Sequence, residues 1–79
     1  MHYKIYTIAN CSFCEHAKNF CIEKGLSFEV IELPKTEYLQ TVNDHLKSGF
    51  PIKTAPAISD DEDNYIGGYN DFRRFISLL

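Results

Sequence analysis

The chain has 79 residues, 44% of them hydrophobic and 24% charged, with a formal net charge of −3. A chain this short makes one compact domain that buries only about three fifths of its unfolded surface, and its composition is that of a globular protein rather than a disordered one. Its eight basic residues are scattered rather than gathered on one face, which argues against a nucleic-acid partner, and its apolar runs are too short for a membrane span.

Tyr3 to Ile8 is rich in β-branched and aromatic residues and reads as a strand, broken at Asn10. Because Met1 to Tyr6 goes straight into that alternation, no export signal is expected. From Phe13 the apolar residues Ala17, Phe20 and Cys21 recur at helical spacing, and Gly25 after Lys24 supplies a left-handed stop. Cys11 therefore stands at the start of a helix. Ser27 to Ile31 is a second strand, ended near Pro34. Leu39, Val42 and Leu46 then form the inner stripe of a second helix, with Thr36 as N-cap and Gly49 closing it. Ala57 to Ser59 and Asn64 to Ile66 are short strands around the acidic turn at residues 60–63. After Gly67 and Gly68, the stripe Phe72, Phe75, Ile76 and Leu79 marks an amphipathic helix.

The resulting order is β-α-β-α-β-β-α over a single domain spanning residues 1–79. The first β-α-β unit calls for a parallel crossover and the last two strands for an antiparallel hairpin, hence a mixed four-stranded sheet with three helices.

Within this frame Cys11 and Cys14 have three possible uses: holding a metal, forming a reversible redox pair, or packing as two small apolar side chains. A structural zinc site needs four ligands, and no second C-x-x-C or spaced histidine pair exists. The acidic run Asp60 to Asp63 lacks the glycine and terminal glutamate of a calcium loop and reads as a solvated turn. A C-x-x-C directly after the first strand of a β-α-β unit is the context of a thioredoxin-like redox motif. There the helix N-terminus stabilises a thiolate at Cys11, whose unperturbed pKa would be about 8.5. Cys14, one turn further in, is suited to resolving a mixed disulfide. Cys21 falls on the inner stripe as a small buried hydrophobe, while His2, His16 and His45 read as surface residues. Three cysteines do not make a self-contained disulfide framework, which fits a reducing cytosol and a cytoplasmic location.

Three segments together resemble the signatures of the glutaredoxins, and the likeness extends over nearly the whole chain: Cys11-Ser12-Phe13-Cys14 after a strand, Thr54-Ala55-Pro56 before the third strand, and Gly67-Gly68-Tyr69-Asn70-Asp71 before the last helix. The short bacterial and phage-type dithiol members are the most similar. The resemblance implies a thioredoxin-like α/β fold. It also implies a glutathione-dependent thiol-disulfide oxidoreductase acting on protein disulfides and glutathione mixed disulfides, with Cys11 as nucleophile and Cys14 as resolving cysteine.

Glutathione would be the reductant, with no tightly bound cofactor and no metal, and the potential would lie at about −200 to −230 mV. The implied glutathione contacts are Phe13, Lys53, Thr54, Ala55, Pro56, Gly68, Asn70 and Asp71, with a cis Ala55-Pro56 bond. Implied partners are disulfide-containing or glutathionylated proteins, ribonucleotide reductase among them, and a monomer is expected. Ser12 and Phe13 replace the usual proline and tyrosine, and Ile8 stands where relatives carry Lys or Arg. These departures keep two alternatives in view: a redoxin served by thioredoxin reductase, favoured by Ile8, and a [2Fe-2S] carrier, favoured by Ser12.

Overall fold

In the computed structural model, which describes residues 1–79, the chain runs β1 (His2–Thr7), α1 (Ser12–Lys24), β2 (Ser27–Glu32), α2 (Tyr38–His45), β3 (Ala57–Asp60), β4 (Tyr65–Gly67) and α3 (Tyr69–Ser77). The sheet order is β2-β1-β3-β4. β1 pairs in parallel with β2, from His2 with Ser27 to Thr7 with Glu32, and antiparallel with β3, Ile5 lying opposite Ile58. β3 and β4 form the antiparallel hairpin, with a register irregularity at Ile58 and Ser59. This is the mixed four-stranded, three-helix arrangement expected from the sequence.

Strand alternation divides the core in two. Tyr3 and Ile5 project to the face covered by α1 and α3, where they pack with Ala17, Cys21, Ile58 and Phe72. Tyr6 projects to the other face and packs with Tyr38, Val42, Leu46, Ile52 and Ala57 under α2. The aromatic rings meet edge to face, with Phe72 5.1 Å from Tyr3 and 5.8 Å from Phe20 between centroids.

α1 ends as its sequence dictates. Gly25 takes the left-handed conformation at φ 66°, and the Leu26 N–H donates to the Cys21 carbonyl at 2.9 Å. The hairpin turn is closed by Asp60, whose carboxylate accepts from the backbone N–H groups of Glu62 and Asn64, both at 2.9 Å. Partial burial pushes the Asp60 carboxyl up, but these bonds and that from the Asn64 side chain hold it below its usual range.

α2 departs from expectation. It ends at His45, not Gly49, and its N-cap is Glu37, without a side-chain cap bond, rather than Thr36. Its inner face carries Tyr38 and Val42, while Leu39 is 46% exposed. The Tyr38 ring fills the cluster beside Tyr6 and Ile52, and burying it rotates the helix so that its neighbour Leu39 turns outward. α3 likewise stops at Ser77, leaving Leu79 beyond the helix and exposed rather than on its inner stripe.

Candidate functional site

Cys11 is the N-cap of α1, with extended backbone (φ −113°, ψ 106°), and its sulfur accepts a hydrogen bond from the Cys14 N–H at 3.2 Å. That places Sγ over the unpaired N–H groups of the first turn, where partial positive charge favours a thiolate. Asn10, in the left-handed region at φ 58°, makes the turn from the strand into this position. Cys11 and Cys14 are joined in a disulfide with Cα atoms 5.2 Å apart. Cys11 is half-buried and Cys14 buried, so only the first sulfur has a path to an incoming partner.

Beside the pair runs a groove of about 300 Å³ lined by Phe13, Thr54, Ala55, Pro56, Tyr65, Gly68, Tyr69, Asn70 and Asp71. It brings together seven of the eight residues singled out in the sequence for glutathione. Lys53 does not line the groove and its side chain is exposed. The Ala55-Pro56 peptide bond is cis.

Two residues that periodicity could not find hold the 52–56 segment in place. The buried Tyr38 hydroxyl donates to the Thr54 carbonyl at 2.9 Å. Burial, then the nearby Tyr65, pushes this phenol well above its usual range, so it remains a donor. Asn43 clasps Ile52, accepting from its N–H at 2.8 Å and donating to its carbonyl at 3.0 Å. Just before the groove residue Gly68, Gly67 at φ 149° is the position that demands glycine, because a Cβ there would run into the Asp71 side chain. At Gly68, by contrast, a Cβ would meet only the Pro56 carbonyl, at an ordinary 3.6 Å. Tyr65, absent from the sequence reading of the site, is held up in pKa first by burial and then by Asp71.

An aromatic shelf adjoins the cysteines. Phe13 is 54% exposed, and its ring centroid lies 5.9 Å from His16 and 6.3 Å from Tyr69. The Arg73 guanidinium sits over Tyr69 at 5.5 Å. His16 is exposed at its position yet stacked within this group. Ile8 lines a different hollow with Ala9, Asn10, Glu32, Leu33, Pro34 and Lys35 and packs against the α2-side core.

Cys21, the third cysteine, is fully buried, and burial pushes its thiol up to about 11. In the reduced protein at pH 7.5, iodoacetamide is expected to modify Cys11 and to leave Cys21 untouched until guanidinium unfolds the chain. Peptide mass mapping reads the sites, and labelling of Cys21 in the folded protein at a rate like that of Cys11 would contradict its burial.

The glutaredoxin family model matches residues 4–63. Glutaredoxin 1 from Francisella tularensis, whose structure is of a complex with cacodylate, is similar at 27% identity with a TM-score of 0.81, over 98% of this chain and 93% of that one. Reduced Escherichia coli glutaredoxin, at 24% identity and a TM-score of 0.73 over 99% of this chain and 95% of that one, shares the fold. No curated sequence matches the chain significantly.

Proposed function

Since the chain belongs to the glutaredoxin family, we propose that it is a glutathione-dependent thiol-disulfide oxidoreductase of a single domain, using Cys11 and Cys14 on protein disulfides and glutathione mixed disulfides in the cytoplasm. The observation that carries this reading is the Cys11–Cys14 pair, disulfide-bonded at the N-terminus of α1 beside the groove.

The Cys11 thiolate attacks one sulfur of the substrate disulfide, displacing the other as a thiolate and forming a mixed disulfide. With a protein disulfide, the Cys14 thiolate attacks Cys11 Sγ, releases the substrate thiol and closes Cys11–Cys14. Two glutathione molecules then reduce the pair and leave as their own disulfide. With a glutathionylated substrate, glutathione itself resolves the intermediate at Cys11.

Glutathione fits the groove by its chemistry. The backbone beside Pro56 offers an extended segment for strand-like pairing with the glutathione cysteine. The first N–H groups of α3 suit the α-carboxylate of its γ-glutamyl end, and the Asp71 carboxylate suits the ammonium beside it. Phe13 and Thr54 border the space left for the remainder of the peptide. Lys53 is exposed outside the groove lining, next to Thr54.

The deciding experiment follows NADPH oxidation with a mixed disulfide substrate. Turnover is expected with glutathione plus glutathione reductase. Turnover with thioredoxin reductase alone, and none with glutathione, would replace this reading by the redoxin served by that reductase.

Ile8→Lys tests the missing cation. Ile8 stands three residues before Cys11, and if a lysine placed there turns toward the Cys11 sulfur, its positive charge favours the thiolate. Alkylation of Cys11 in a Cys14→Ser, Cys21→Ser background is expected to reach half-maximal rate at lower pH in the variant. The gain should shrink in salt, since exposed charges are screened over about 10 Å at 0.1 M. A midpoint that is unchanged or higher would show that position 8 does not influence the nucleophile.

A further inference from the structure

One buried polar atom has no role in the site as described. The Thr7 side chain is 2% exposed, and its Oγ1 neither donates nor accepts a hydrogen bond. An orphaned buried hydroxyl destabilises whichever state leaves it unpaired.

Its surroundings follow from register. Tyr3 and Ile5 face α1 and Tyr6 faces α2, so Thr7, next in the alternation, faces α1. The short connection of residues 8–11 folds α1 back over β1, so the inward positions of strand and helix run in opposite order. Tyr3 and Ile5 share a cluster with Cys21 and Ala17. One step further toward the helix N-terminus the next buried position is Cys14, 1% exposed, and one step along the strand the next inward position is Thr7.

We propose that Thr7 is a positioning residue for Cys14: once the Cys11–Cys14 disulfide opens, the Thr7 hydroxyl hydrogen-bonds the released Cys14 sulfur and biases the pair toward the dithiol. This rests on the pair being the redox couple of the proposed function. Reduction by a dithiol such as dithiothreitol transfers two electrons, breaks the S–S bond and closes the reductant into its own disulfide. Of the two thiol protons given up, one stays on Cys14 and the other passes to solvent when Cys11 is left as thiolate. In the oxidised form neither cysteine carries a proton and Thr7 Oγ1 has no hydrogen-bond partner; opening the S–S bond frees the Cys14 sulfur to turn toward it. The Cys14 thiol can donate to Thr7 Oγ1, and the Cys14 thiolate formed during resolution can accept from it.

The test compares Thr7→Val, which keeps the shape and removes the hydroxyl, with Thr7→Ser, which keeps the hydroxyl. The oxidised fraction is read by thiol alkylation and mass after equilibration in dithiothreitol buffers. The valine variant is expected to shift the equilibrium about tenfold toward the disulfide, or about 30 mV for a two-electron couple, with the serine variant within about twofold of wild type. Thermal unfolding of both redox forms supplies a second readout: valine should stabilise the oxidised form, by removing the orphan, and destabilise the reduced one. If the valine variant does not fold, Thr7→Ala serves as the hydroxyl-free variant.

A wild-type midpoint without the hydroxyl, or equal loss of stability in both redox forms, would overturn the proposal. Dithiothreitol sets the potential without glutathione. A failed glutathione-coupled assay would therefore sink the proposed function while leaving this measurement intact, and an unchanged midpoint beside a working assay would sink Thr7 alone.

Discussion

Cys11→Ser is expected to abolish turnover on every substrate, a loss of about 10³-fold or more, since removing a catalytic nucleophile leaves only binding and environment to act. Cys14→Ser is expected to separate two activities. Exchange on glutathionylated substrates survives, because glutathione resolves the intermediate at Cys11. Reduction of protein disulfides is lost, because that needs a second thiol within the same molecule. The asymmetry is built into α1: Cys11 is the half-buried N-cap whose sulfur already accepts the Cys14 N–H, and Cys14 is buried one turn further in. Parallel assays on a glutathionylated peptide and on an intramolecular protein disulfide check it. Equal losses for both variants in both assays would overturn the division of roles.

The largest effect on stability is expected at Phe72. Its ring is fully buried between Tyr3 and Phe20, edge to face with each. Phe72→Ala removes the ring and leaves a cavity where sheet, α1 and α3 meet, at a cost of about 3–5 kcal/mol. In a domain whose total stability is about 5–15 kcal/mol, that is a large share. At about 4–8 °C per kcal/mol, the melting temperature should fall by roughly 12 °C or more. Function should suffer before unfolding, because Phe72 anchors the helix whose first turn carries Asn70 and Asp71 in the groove. A calorimetric scan showing a shift of only a few degrees would mean that the core closes over the gap.

Patterns that repeat within one element were legible in the sequence, and contacts between elements were not. The first β-α-β unit could be read from β-branched alternation, helical spacing and Gly25, each of them local chemistry. In α2, Val42 and Leu46 are buried as the stripe predicts, but Tyr38 rather than Leu39 is the third inward residue, because a phase with Leu39 and a second with Tyr38 fit the spacing equally well. Only the far side of the core, where Tyr6 and Ile52 leave room for a ring, selects the second phase.

At the site, motif residues converge on the groove because they flank chain reversals that the fold brings to one end of the sheet. Tyr38 and Asn43 act through hydrogen bonds to backbone far along the chain, at Thr54 and Ile52, and hydrophobic periodicity carries no trace of such bonds. Lys53 differs from the other seven: adjacency to Thr54 in sequence says nothing of which way an exposed side chain turns. Thr7 fits the strand pattern so well that its unpaired hydroxyl emerges only once its burial is known.

β2 is the outermost strand beside β1, so one of its edges leaves backbone N–H and C=O groups unpaired. Such an edge is a template on which a second chain can add a strand and begin to aggregate. Here Val30 is partly exposed on that strand, a sticky element, but Glu29 and Glu32 bracket it. A copy of the same strand docking edge to edge would bring its own glutamates against these, desolvating like charges at the seam. The outer border of the sheet thus carries a deterrent to self-association in its own side chains, and a substitution that neutralised both glutamates would leave the fold intact while opening that border to its neighbours.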